Sequence, residues 1–123
     1  MDDHSTTRVD PRVVEVMLPY LTDAFGNPSS TNHSFGWDAQ HAVDDCRQSI
    51  AANFKAKPKD ILFTSGATES NNLALRGVCL RNQDKGKHIV SVVTEHHAIL
   101  DPLDRLMRRD KFDVTLLPVN HRN

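Results

Sequence analysis

The sequence predicts an α/β fold with a mainly parallel sheet and flanking helices. Three observations predict it. Short apolar runs of strand length occur at 61–64, 88–93 and 113–117. Stretches with helical apolar spacing separate them. Turn-forming residues stand at each junction, as in a chain of alternating strands and helices. At 123 residues the chain has the length of one ordinary domain.

Asp10-Pro11 opens the first helix, since Asp is a good N-cap and Pro is well tolerated at the first helical position. Val13, Val14, Met17, Leu18 and Leu21 recur at helical spacing, and Pro19 is expected to end or bend the helix. Residues 25–36, with Gly26-Asn27-Pro28 at their start, read as an ordered loop with a role of its own. A long helix is predicted over 37–55, its apolar face marked by Val43, Cys46, Ile50 and Phe54. Lys57-Pro58-Lys59-Asp60 breaks it. Ile61-Leu62-Phe63-Thr64 then reads as a strand buried on both faces. Ser65-Gly66 turns the chain into a helix running to about Arg81, largely buried through Leu73, Ala74, Val78 and Leu80. After a polar connection over 82–87 come a strand from His88 to Val93, a helix from Ile99 to Arg109 and a strand from Asp113 to Leu117. The last helix presents Leu100, Leu103 and Met107 on one side. With three strands, the sheet edges are expected to be exposed.

Composition narrows the function classes. Fifteen basic against 16 acidic residues leave a net charge of -1, which gives no push toward nucleic acid or a membrane surface. No apolar run approaches the roughly 18 residues of a membrane span, and Met1-Asp2-Asp3-His4 is unlike a signal peptide. A soluble cytoplasmic protein is the expectation. Cys46 and Cys79 fit no metal or CxxC spacing and read as small buried hydrophobes. The seven histidines are scattered, so no metal site is expected.

Two short segments carry chemistry. In the first, a strand ends, a tight turn containing Gly66 follows within 65–70, and a helix begins. The first N–H groups of a helix lack partners within it, and the helix dipole adds positive charge there, which suits a phosphate. Gly66 lets the backbone come close, Ala67 does not obstruct, and Thr68 offers a hydroxyl. On spacing alone, however, a cap by Ser65 or Thr68 with Glu69 in the first turn is the more frequent outcome. The turn is neither a Walker loop nor a GxGxxG fingerprint. The second segment is Thr94-Glu95-His96, just past the carboxyl end of a strand, where open α/β sheets bind ligands. An imidazole there can stack on a flat ring or move protons near neutral pH. The competing reading has His96 pairing with Glu95 or capping the next helix.

Several stretches in order resemble the NifS/IscS-type cysteine desulfurases of the class V aminotransferase family. Residues 2–11, Asp-Asp-His-Ser-Thr-Thr-Arg-Val-Asp-Pro, are similar to the family's Asp-x-x-Ala-Thr-Thr-Pro-Val-Asp-Pro, with Ser5 and Arg8 as departures. Phe25 to Ser30 with His33 to Gly36, then Phe63 to Asn72, Thr94 to His96 and Leu100 to Pro102 follow in the family's order. The Gly-Ala-Thr-Glu-Ser form is more similar to the NifS/IscS branch than to the SufS branch.

The resemblance implies the N-terminal part of a pyridoxal-phosphate (PLP) dependent transferase fold of type I. Residues 1–36 would form an N-terminal helix and ordered loop, and 37–123 the truncated start of the large PLP-binding domain. It implies that Gly66, Ala67 and Thr68 hold the cofactor phosphate. His96 would stack on the pyridine ring and assist proton transfer as a catalytic residue. The family takes sulfur from L-cysteine through an enzyme persulfide, releasing alanine, and feeds iron–sulfur cluster assembly. It works as a homodimer with scaffold or acceptor partners. The family's cofactor lysine lies in a Ser-x-His-Lys context that is absent from these 123 residues. Cys46 and Cys79 do not match its nucleophilic cysteine. The chain is therefore expected to be an N-terminal fragment, inactive alone. The alternatives are a selenocysteine lyase or another class V lyase, or a non-catalytic module that dimerises with a full-length paralogue.

Overall fold

The computed structural model describes residues 6–119. The first half of the 2–11 motif, with His4 and Ser5, and the C-terminal His121 lie outside them. The chain forms two compact units that divide between Leu62 and Phe63.

The first unit holds two helices. Helix α1 spans Pro11–Thr22 and starts where the Asp-Pro pair predicts. The Asp10 carboxylate accepts from the Arg12 backbone N–H at 2.9 Å and from its guanidinium at 2.7 and 3.0 Å. Those contacts with Arg12 hold the Asp10 carboxyl below the usual range. Pro19 does not end the helix, which runs on to Thr22. Helix α2 spans Ser34–Asn53 and begins three residues before the predicted start. The cause is His33, whose Nδ1 accepts from the Gly36 N–H at 3.3 Å. The loop before α2 is ordered by close packing. Asn27 accepts from the N–H groups of Ser29 and Ser30, both at 2.9 Å. The Trp37 indole donates to the Thr31 carbonyl at 2.8 Å. A Cβ on Gly26 would overlap the Phe35 carbonyl, and one on Gly36 the Ser30 carbonyl, so both positions require glycine. A single 3-10 turn at Pro58–Asp60 follows α2.

The second unit is a strand–helix–strand motif with one further helix. Helix α3 spans Ala67–Arg81, strand β1 His88–Val92, helix α4 His97–Asp110 and strand β2 Asp113–Leu117. The strands pair in parallel, His88 opposite Asp113 and Val92 opposite Leu117. Helix α4 makes the crossover and packs against α3. Leu103, Leu106 and Phe112 form the core, covered by Leu75, Cys79 and Leu80 from α3 and by Ile89 and Val114 from the strands. Leu106 is completely buried, a burial that stabilises by about 1.5–3 kcal/mol relative to leaving it in water. Lys111 closes α4 in a left-handed conformation (φ 60°), a place that glycine usually takes.

Three expectations are corrected. Ile61–Thr64 is not a strand: the sheet has two strands among the described residues, and Leu62 and Phe63 are 66% and 46% exposed. The Ile61 N–H goes to the Pro58 carbonyl and its C=O accepts from the Arg47 guanidinium, so these groups are not taken by a neighbouring strand. Helix α3 buries no residue completely, and Val78 is 63% exposed, because only its Leu75–Cys79–Leu80 side meets the core. On α2, Cys46, Ile50 and Phe54 are exposed, while Gly36, Ala39 and Ala51 are buried. The small residues line the tighter contact, so the larger apolar stripe is not the packed face. On the strands, Val90, Leu116 and Leu117 are open to water. No helix among the described residues is long and apolar enough to cross a membrane.

Candidate functional site

Helix α3 begins at Ala67 with Gly66 as its N-cap, and no side chain caps it. The Gly66 backbone is extended, and a Cβ there would meet nothing within 4 Å. Packing within the chain therefore does not demand glycine at this position, and the space in front of it is open. Beside the turn, Glu69 Oε2 accepts from the Ser65 N–H and from the Ser65 hydroxyl, each at 2.7 Å. The Ser65 N–H, then its hydroxyl, hold the Glu69 carboxyl below its usual value. Thr64 Oγ1 lies 2.6 Å from Ser70 Oγ and donates to the Gly66 carbonyl at 3.2 Å. Of the two roles weighed for this turn, capping by Ser65 or Thr68 is not what the structure contains.

Helix α4 begins differently. His96 is its N-cap, and its Nδ1 accepts from the Ala98 N–H at 3.0 Å. A neutral imidazole that accepts at Nδ1 carries its proton on Nε2. The next histidine, His97, starts the helix and lies 3.6 Å from the Asp101 carboxylate, with both side chains exposed.

The two helix starts border one cleft of about 340 Å³. Thr68 and Asn72 line it from α3, and His96, His97, Asp101 and Arg105 from α4. The structure thus brings Thr68 and His96 together. Gly66 and Ala67 stand exposed at the start of α3, outside the cleft lining. Asn72, Asp101 and Arg105 were not singled out from sequence. The available signal was their i+4 spacing: Asn72 follows Thr68 by one turn and donates to its carbonyl at 3.0 Å. His97, Asp101 and Arg105 likewise repeat along one face of α4. Neither cysteine lines the cleft. Cys46 is exposed, against the expectation of burial, whereas Cys79 is half-buried beside the core and burial pushes its thiol upward. Among the described residues no cluster of three metal-ligating side chains occurs.

Parallel strands joined by a helical crossover, with two helix starts bordering one cleft, define an α/β protein. The aminotransferase class-V family matches residues 1–123, and the chain belongs to that family. It is 53% identical to the cysteine desulfurase IscS of Neisseria meningitidis serogroup A over 97% of its length. It is 54% identical to the cysteine desulfurase IscS of Dechloromonas aromatica over the same share. It spans about 29% of the length of these relatives. Among solved structures, a NifS-like protein superposes with a TM-score of 0.82 at 35% identity, over 96% of this chain and 32% of that one. DndA from Streptomyces lividans gives 0.75 at 42% identity, over 92% and 31%. The chain therefore carries part of the type I α/β fold that these neighbours share.

Proposed function

We propose that this chain supplies the phosphate end of a PLP site in a cysteine desulfurase. The observation that carries the reading is an uncapped helix start at Ala67 whose next residue, Thr68, shares one cleft with His96. The donor set suits a phosphate. The backbone N–H groups of Ala67 and Thr68, the Thr68 hydroxyl and the α3 dipole are all of the sign that an anion needs. The open space before Gly66 leaves room for close approach. PLP, when bound, supplies the electron sink for chemistry at the amino-acid substrate. Ala67 and Thr68 hold its phosphate. His96, with Nδ1 engaged by Ala98, offers a flat ring for stacking and a proton at Nε2.

L-cysteine is the proposed substrate. The names of the IscS relatives support it, as does SspA, a solved neighbour whose title records a complex with cysteine (TM-score 0.76, 35% identity). A cytoplasmic location, a homodimer and a sulfur-accepting partner belong to the same proposal. So does the division of the chain into a helix-and-loop segment, 1–36, and the start of the cofactor domain, 37–123. The 123 residues alone are proposed to be inactive, since they contain no Ser-x-His-Lys segment.

Titration of the purified chain with PLP, followed by absorbance, tests the binding claim. Saturable binding that inorganic phosphate competes away is the expected result. Binding that phosphate does not affect counts against the α3 assignment. Incubation with PLP and L-cysteine tests the inactivity claim, which sulfide or alanine formation overturns.

A further inference from the structure

Among the described residues that line the α3–α4 cleft, Arg105 is the one permanent cation. Its own helix offers it a carboxylate at the favourable spacing, Asp101 one turn earlier. The two do not pair. Asp101 lies instead 3.6 Å from His97 Nδ1, and Arg105 has no hydrogen bond or ion pair among the described residues. Further along α4 the same residue types at the same spacing do pair, Arg108 with Asp104 at 2.8 Å. The contrast follows the cleft. Arg108 lies outside the lining and spends its guanidinium on its own helix, whereas Arg105 lines the cleft and keeps its donors free. The α3 side also has a donor to spare. The Asn72 amide is committed to the Thr68 carbonyl, but the Thr68 hydroxyl has no partner among the described residues.

We propose that Arg105 is a further ligand-binding residue of the cleft: its guanidinium contacts the phosphate of the bound ligand from the α4 side, with Thr68 on the α3 side. The inference rests on the PLP reading given above and adds a residue to it. A phosphate monoester carries about −1.5 to −2 charge near neutral pH. Hydroxyl and amide donors supply partial charges only, and an anion taken out of water needs a full counter-charge close by. A guanidinium is planar, always ionised and shaped to meet phosphate oxygens two at a time. Asp101 is the opposing charge of the same lining, and His97 is the cation that stands next to it.

The test uses the full chain without cofactor, titrated separately with PLP and with pyridoxal, which lacks the phosphate. Thermal melts check that each variant folds. Arg105→Gln should weaken PLP binding about tenfold, the scale of one hydrogen bond to a charged group, with pyridoxal unchanged. Arg105→Lys keeps the charge but loses the planar fork and should fall between Arg105→Gln and the wild type. Arg108→Gln removes the same charge from the same helix outside the cleft and should hold PLP affinity within about twofold. Added salt should erode PLP binding more in the wild type than in Arg105→Gln. A merely structural role for Arg105 would change neither the salt response nor the preference for PLP. The inference is overturned if Arg105→Gln binds PLP as the wild type does, if it loses PLP and pyridoxal equally, or if Arg108→Gln loses as much. Should Arg105→Gln fail to fold, Arg105→Lys set against Arg108→Gln carries the same decision: PLP binding weaker in the first supports the inference, and equal binding overturns it. A wild type without preference for PLP over pyridoxal overturns the phosphate reading itself, a result distinct from any variant outcome.

Discussion

The two helix starts that border the cleft are built in opposite ways. Helix α4 is closed by its own sequence: His96 accepts from Ala98, and the helix behind it buries Ala98, Pro102, Leu103 and Leu106. Helix α3 starts on a glycine with no side-chain cap and completely buries none of its residues. A side-chain cap is worth about 1 kcal/mol over alanine but only a few tenths over the glycine that α3 has instead. The difference separates two uses of the same unpaired N–H groups. At α4 they are consumed by the fold and fix the position of an imidazole. At α3 they remain available, and in the proposed site a phosphate would complete the helix. One wall of the cleft is thus finished by the chain itself, while the other would gain stability from the proposed ligand.

The largest expected effect removes the support that both walls share. Leu106 belongs to the core on which Leu75, Cys79 and Leu80 of α3 rest. Leu106→Ala should destabilise the second unit by about 2–5 kcal/mol in urea unfolding. Ligand affinity should fall with it, because the cleft exists only while α3 and α4 are packed. A loss well under 1 kcal/mol would mean that the two helices are held by something other than this core. Next in size is the contrast at the open wall. Thr68→Val keeps the shape but removes the hydroxyl, and PLP affinity should drop about tenfold with the melting temperature unchanged. A lowered melting temperature at unchanged affinity would make Thr68 part of the fold, like the residues of α4.

How much of this contrast was legible in sequence depends on how local each feature is. The Asp10 cap, a helix following the Gly66 turn and the two strands were readable, since each rests on a few adjacent residues. Thr68 and His96 were readable as candidates because each follows directly on a strand-like run. That they share a cleft depends on the packing of α3 against α4, which no local pattern encodes. For the same reason no site role was read for Asn72 and Asp101, which lie in the quoted motifs, or for Arg105. The His33 cap was missed, so α2 was placed three residues late. The burial errors have a further cause. An apolar stripe, such as Val43 to Phe54 or Leu73 to Val78, records that a surface prefers apolar contact. It does not say which residues are in contact, and here Ala39, Ala51 and the Leu75–Leu80 side make it.

The closed wall permits a sharper cut. His96 both caps α4 and presents its ring, and two substitutions separate these roles. Asparagine is a good N-cap, so His96→Asn should keep α4 stable while removing the ring. His96→Ala should lose both and cost about 1 kcal/mol in thermal unfolding. Equal stability of the two variants would show that the Ala98 contact contributes nothing measurable, and the contrast between the helix starts would weaken.

The smallest effect concerns acid. The Ser65 bonds hold Glu69 below the ordinary value of 4.5 in the folded chain. A group depressed in this way contributes stability above its unfolded value, and that contribution is lost as pH falls through the folded value. The window therefore lies at and below about 4.5, well under neutral. Because Glu69 is exposed, water and salt screen the effect, and global stability should hardly change. The Ser65 amide is the sensitive observer, since it loses its acceptor when the carboxylate is protonated. Its NMR chemical shift should stay constant from neutral pH and move only below the value for free Glu. A shift that instead titrates above that value would mean the carboxylate is not held by Ser65.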